Sequence, residues 1–271
     1  MLKIESLGEE NKASDLDARR LAAEAIYGSE EDVAGPISNS GWDFESEETY
    51  TITKLTPGVK DPNRVNVFLD GHFVLSLEIN QVIDLGLKVH QSITKEKLQE
   101  LQRASEFGKL YQRSLEWVLT RPHSVREARD YLRRRQLKRK QLNRQREREE
   151  KKPLSGFDDE LINEVLTRLI DKGYLDNRKF AEFYVENRYL RKGISHKRLR
   201  MELTKKGIDA TMINQVFEKI PRDEDEEIIK MIKKKRKKYN DFQLIGYLVR
   251  QGFSFYNAKT AVEQYKEDDE V

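Results

Sequence analysis

SHKRLRMELTKKGI, residues 195–208, decides the fold of this chain, because both ends of one short helix are written into it. Ser195 has a hydroxyl able to accept a hydrogen bond from a first-turn backbone amide, an N-cap worth about 1 kcal/mol. Gly207, four residues after Leu203, can take the left-handed conformation that ends a helix and lets Ile208 fold back. The rhythm returns 45 residues on as Asn240, Leu248, Gly252 and Phe253, and more faintly 71 residues earlier as Ser124, Leu132, Gln136 and Leu137. Ser124 with Glu127 and Asn240 with Gln243 have capping-box spacing, whereas Ser195 faces Arg198 and lacks that partner. Gln136 is a poorer stop than glycine.

Helical spacing continues on both sides of each capped helix. Met212, Ile213, Val216 and Phe217 follow the first glycine, and Ala258, Ala261, Val262 and Tyr265 follow the second; Phe180 to Tyr189 and Glu226 to Lys237 precede the caps. The unit is therefore three helices in about 45 residues, too small to bury much surface alone, so consecutive units should stack. The first copy is longer by the run KRKQLNRQREREEKKPLSGFDDE, 138–160. Leu132, Leu137 and Leu142 are five apart and make no helical stripe, which predicts an exposed arm or helix extension there.

Upstream the period changes to two. TITKL, RVNVFLD and HFVLSLE alternate, and Asp70-Gly71 between the last two supplies the positive φ of a two-residue hairpin turn. After GLKVHQSIT the pattern turns helical through Leu98, Leu101, Tyr111, Leu115 and Val118. The expected class is mainly α: tandem three-helix repeats in an elongated array, preceded by a small antiparallel β-hairpin or sheet. The expected divisions are an acidic, mostly disordered tail (1–48), a β region (49–92), a first repeat (93–175) with a basic insertion at about 137–158, a second repeat (176–220), a third (221–266) and an acidic C-terminal tail (267–271).

Composition narrows the function. With 37% charged residues in 271 positions and a mean hydropathy of −0.82, a thin-cored molecule is expected rather than one large core. No run is apolar and long enough to span a bilayer, and the start MLKIESLGEENK fits neither a signal nor a transit peptide, so no membrane role and a cytoplasmic location are expected. Zero cysteines exclude disulfides, thiolate metal sites and cysteine nucleophiles. His72, His90, His123 and His196 are scattered without metal-ligand spacing, and no phosphate-loop, dinucleotide or nucleophile-elbow signature occurs. Asp158, Asp159 and Glu160 have the composition of Mg²⁺ ligands, but an acidic trio before an apolar run is better read as a helix N-terminus. No catalytic residue, metal or cofactor is predicted.

Charge is unevenly placed. Residues 1–48 hold 13 Asp/Glu against 4 Lys/Arg, and residues 121–152 hold 14 Lys/Arg against 5 Asp/Glu. A basic block implies a polyanion partner. The candidate contacts are Arg133, Arg134, Arg135, Lys138, Arg139 and Lys140 in that block, then Arg188, Arg191, Lys192, Lys197, Arg198, Arg200, Lys205 and Lys206 around the 195–208 helix. Lysines at a helix C-terminus suit the dipole, but cations at the N-terminus do not, and phosphates would explain them. KKKRKK at 233–238 adds a second patch. Tyr174, Phe180, Phe183, Tyr184, Phe217 and Tyr247 are read chiefly as core rather than as stacking platforms for bases.

GYLDNRKFA (173–181), Arg188 and RKGISHKRLRMELTKKGI (191–208) together resemble the RecX family of RecA regulators. RPHSVREARDYLRRR (121–135) and VNVFLDGHFVLSLE (65–78) are similar to matching parts of firmicute-type members, and the resemblance covers roughly residues 50–266. It implies a non-enzymatic, cytoplasmic, monomeric protein of three-helix repeats that binds RecA, single- and double-stranded DNA and the RecA–DNA filament, and limits recombinase and coprotease activity. Gly173, Tyr174, Leu175, Asp176, Phe180, Ala181, Glu202, Leu203, Lys206, Gly207 and Ile208 match the family signature. Most are expected to be scaffold, with Asp176 capping the next helix. Asn177 stands where the family commonly has a second aspartate; the basic insertion and acidic N-terminal tail are additions. The rival reading is an autonomous DNA-binding regulator using one capped helix in the major groove.

Overall fold

The computed structural model describes residues 48–269 except 60, 152, 155 and 156; the acidic N-terminal tail lies outside the described residues, apart from residue 48. The chain divides into two units, Met1–Gln112 and Arg113–Val271.

In the first unit, alternation produces strands with one buried face. β1 (Thr49–Pro57), β2 (Arg64–Leu69), β3 (His72–Glu78) and β4 (Ser92–Thr94) form an antiparallel sheet in the order β3-β2-β1-β4. Asp70 and Gly71 both have positive φ, 48° and 83°, as the predicted hairpin turn requires. Val65, Val67, Leu69, Leu75 and Leu77 point inward with Tyr50, Ile52 and Leu55. A short helix, α1 (Ile79–Asp84), follows β3, opened by a capping box between Glu78 and Gln81. Leu98 and Leu101, from the N-terminal part of α2 (Lys95–Val118), close this core.

The described part of the second unit is helical. The capped helices are α3 (Val125–Arg148), α6 (His196–Lys205) and α9 (Asp241–Arg250). Ser124, Ser195 and Asn240 accept hydrogen bonds from Glu127 N, Arg198 N and Gln243 N at 3.1, 3.1 and 2.9 Å. Around them stand α4 (Asp159–Asp171), α5 (Asn177–Asn187), α7 (Ala210–Lys219), α8 (Glu224–Lys235) and α10 (Phe255–Asp269). Gly207 and Gly252 have φ of +82° and +102°, and Ile208 N and Phe253 N donate back to Leu203 O and Leu248 O. This closure buries both apolar residues. Asp176 caps α5 through Arg178 N and Lys179 N, and Asp158 caps α4 through Leu161 N. Phe180, Ala181, Leu203 and Leu175 are buried scaffold; Tyr174 is 42% exposed.

Three details differ from the pattern read in the sequence. The spacing of Ser124 and Glu127 suits a capping box, but the Glu127 carboxylate is taken by Lys206, Arg121 and His123 instead. Gln136 stops nothing: α3 runs twelve residues further, to Arg148. Leu137 and Leu142, 56% and 43% exposed, ride on this extension, so the apolar spacing fails because that part of the helix has no core to face. The last helix continues to Asp269, through the first residues of the expected C-terminal tail.

Candidate nucleic-acid interface at the repeat junctions

The repeats meet by one rule. The residue before each glycine stop lies against the first turn of the capped helix one repeat earlier, and the glycine permits the approach. A Cβ at Gly207 would stand 3.0 Å from Arg126 Cβ, and one at Gly252 would stand 2.6 Å from Ser195 Oγ. At the first junction Lys206 Nζ donates to Glu127 Oε1 at 2.6 Å. At the second, Gln251 replaces lysine and Arg198 replaces glutamate, and the Arg198 guanidinium donates to Gln251 Oε1. Arg198 also reaches Glu202 at 3.4 Å. Its engagement explains the missing capping-box acid at this position: the side chain serves the neighbouring repeat.

Backbone amides follow the same register. Val125 N donates to Asn177 Oδ1 at 3.0 Å across the first junction, and His196 N donates to Glu224 Oε1 at 3.0 Å across the second. Ser195 Oγ accepts from Arg198 N and donates to Gln251 O at 2.7 Å, satisfying one terminal carbonyl of α9. The second junction adds a buried acid. Glu227, 2% exposed, accepts from Ile194 N at 2.8 Å, from Arg222 at 2.8 Å and from Lys230 at 2.9 Å. Burial pushes its carboxyl up, and these donors outweigh that and hold it below the usual carboxylate range. Glu127 has the same balance, burial against hydrogen bonds from Lys206 and Arg121.

A cavity opens beside each junction. The first, about 540 Å³, contains Arg188, Lys205 and Lys206 but also Glu127 and Glu202. Arg188 donates to Glu202 at 2.7 Å and lies 3.9 Å from the centre of the Tyr189 ring, so its charge is largely spent inside the fold. The second, about 230 Å³, is lined by Lys192, Arg198, Lys234, Lys235, Tyr189 and Tyr247 among others, with no carboxylate in its wall.

Other predicted contacts sort by engagement. Arg135 donates to Tyr131 Oη at 2.7 Å, Arg200 covers the Phe217 ring at 5.3 Å, and Lys192 lies 5.7 Å from the Tyr189 ring centre. The side chains of Arg133, Arg134, Lys138, Arg139, Lys140, Arg191, Lys197 and Lys205 make no intramolecular hydrogen bond or ion pair among the described residues. Lys140 and Arg144 of the α3 extension share a groove with Lys151 beyond its end, where Asn143 binds Leu154 N and O at 2.9 and 2.8 Å. Among the described residues no His/Asp/Glu group of three or more is placed to hold a metal, and no helix is long and apolar enough to cross a membrane.

These features fall on known family boundaries. Residues 50–94 match the model of the regulatory protein RecX N-terminal domain, ending where β4 ends, and residues 176–216 match the RecX second three-helix domain, starting at the Asp176 cap. The chain thus carries two segments that match RecX domain models. Proteins titled regulatory protein RecX from Bacillus licheniformis and Bacillus subtilis are 26% and 28% identical over 228 and 230 residues, covering 80% and 81% of this chain and 79% and 80% of theirs. That of Caldanaerobacter subterraneus is 28% identical over 78% of this chain and 98% of its own. A crystal structure of regulatory protein RecX shares the fold, with a TM-score of 0.56 at 18% identity, over 80% of this chain and 99% of that one.

Within this RecX fold the sequence reading passed over two residues of the second junction. Gln251 carried a signal, since it occupies the register position of Lys206. Tyr189 carried none. Its left-handed backbone, φ +51°, is imposed by the turn in which Lys192 N and Gly193 N both donate to its carbonyl.

Proposed function

We propose that this chain is a non-enzymatic, cytoplasmic, monomeric regulator that binds RecA and the RecA–DNA filament and modulates, chiefly by inhibition, recombinase, ATPase and coprotease activities. The observation that carries the reading is the match to regulatory proteins RecX over about four fifths of the chain. The unneutralised cations support a polyanion contact: Arg191, Lys197 and Lys205 near α6, and Arg133, Arg134, Lys138, Arg139 and Lys140 on α3. Their phosphate contacts hold the repeats on the nucleoprotein track, while other faces touch recombinase protomers.

The test is RecA ATPase and LexA-type cleavage on single-stranded DNA, titrated with this protein. Suppression well below one molecule per RecA supports filament-level regulation. No effect with DNA binding intact favours the autonomous DNA-binding reading. Neutralising Z phosphates lowers log affinity with log salt by about 0.7Z to 0.9Z, so alanine at Arg191 and Lys197 should flatten that slope.

A further inference from the structure

We infer that the cavity at the second repeat junction takes one unpaired nucleotide, its base against Tyr189 and Tyr247 and its phosphate on Lys192, Lys234 and Lys235. This rests on the polyanion reading above and adds to it a preference for single strands.

The cavity combines two features that the first junction lacks together. Three lysines and Arg198 enter its wall, which contains no carboxylate. Of these four, only Arg198 pairs with an acid among the described residues, Glu202 at 3.4 Å, whereas Glu127 and Glu202 both stand in the wall of the other cavity. Lys192 and Lys235 contact the rings of Tyr189 and Tyr247 at 5.7 and 5.4 Å, and Lys234 is exposed with no intramolecular partner among the described residues. Each ring also has a fixed neighbour: Arg188 lies 3.9 Å from the centre of Tyr189, and Tyr239 stacks on Tyr247 at 5.6 Å. Tyr189 is presented by a left-handed residue, a conformation that a bulky side chain holds only where its surroundings over-determine it.

Positive charge beside aromatic faces selects a ligand that is both planar and anionic, the chemistry of a nucleotide. At about 230 Å³ the space falls below the roughly 300–1,000 Å³ of drug-sized clefts and suits one base rather than a stacked pair. A base in a duplex must leave its stack to enter, which an unpaired base need not do.

The experiment compares the affinity of the full chain for a labelled 20-nucleotide polythymidine with that for a duplex of equal length at fixed salt. Tyr189→Ala is expected to lower the single-strand to duplex affinity ratio by about 5- to 150-fold, the loss of one stacked base. An unchanged ratio, with both ligands still bound, overturns the pocket and leaves the polyanion reading standing; binding of neither ligand to the wild type overturns both. A second measurement needs no substitution: photocrosslinking the wild type to a 5-iodouracil-substituted strand should mark Tyr189 or Tyr247, and crosslinks confined to other residues overturn the assignment.

Discussion

The two repeat junctions share one backbone arrangement and fill it with different charges. At the first, a lysine from the helix stop meets a glutamate in the first turn of the preceding repeat's capped helix. At the second, the roles become glutamine and arginine, and much of the polar load moves to Glu227 and Arg222. The difference teaches that packing is set by the cap and the glycine, whereas the side chains facing each other are free to change as a pair. A junction with compensated charge suits a scaffold; under the proposal above, one that leaves lysines unneutralised presents them to a ligand.

The largest way to break this comparison is Glu227→Ala. Arg222 is almost wholly buried beside it, and stranding a buried charge costs about 3–5 kcal/mol; urea unfolding should show a lower midpoint, and a loss under 1 kcal/mol would contradict the role. Acid should act in the same direction. Glu127, Glu202 and Glu227 are all held below their ordinary range, with hydrogen-bonded donors outweighing burial. Their stabilisation is therefore present above the unfolded value of about 4.3 and lost as pH falls through the lower folded values. His123 is lowered by burial and by Arg121, so its share is present above about pH 6.5 and begins to go below that. Melting temperature should fall on acidification in two stages, and Glu227→Gln should blunt the second.

Gly193→Ala comes next. A Cβ there would lie 2.3 Å from Glu227 O at a φ of +74°, and the strained backbone alone costs about 1–3 kcal/mol. Calorimetry should show a loss that alanine at Gly173, also left-handed but with open space around it, does not match. A smaller effect is expected at the first junction. The Lys206–Glu127 pair is partly exposed, so a double-mutant cycle should return a coupling of about 1 kcal/mol or less. The smallest is Leu137→Gln with Leu142→Gln, expected within about 0.5 kcal/mol of wild type; a large loss would mean that the α3 extension packs on something.

Much of the fold could be read directly. Caps, glycine stops and the Asp-Gly hairpin are local chemistry, and each acts within a few residues of where it is written. The six-residue α1 and the three-residue β4 escaped because elements so short carry no measurable period. Junction contacts escaped for another reason: Lys206 and Glu127 are 79 positions apart, and Arg198 and Gln251 are 53 apart. Only the repeat register relates such residues, and it identifies equivalent positions without saying that they touch. The basic candidates were found by charge; which of them the fold already occupies, as it does Arg188, depends on an acid supplied by the next helix, Glu202.

Ser195 has a consequence for how the molecule comes apart. Its one hydroxyl starts α6 and finishes α9, so the first turn of the capped helix in the second repeat and the last turn of the capped helix in the third depend on the same atom. Fraying at the end of α9 removes a partner from the start of α6, and opening of α6 exposes the carbonyls that close α9. Elements linked in this way behave as neighbours in a one-dimensional cooperative chain. Amide hydrogens of those two turns should consequently exchange with solvent in a shared opening event, although 56 residues separate the serine from its acceptor.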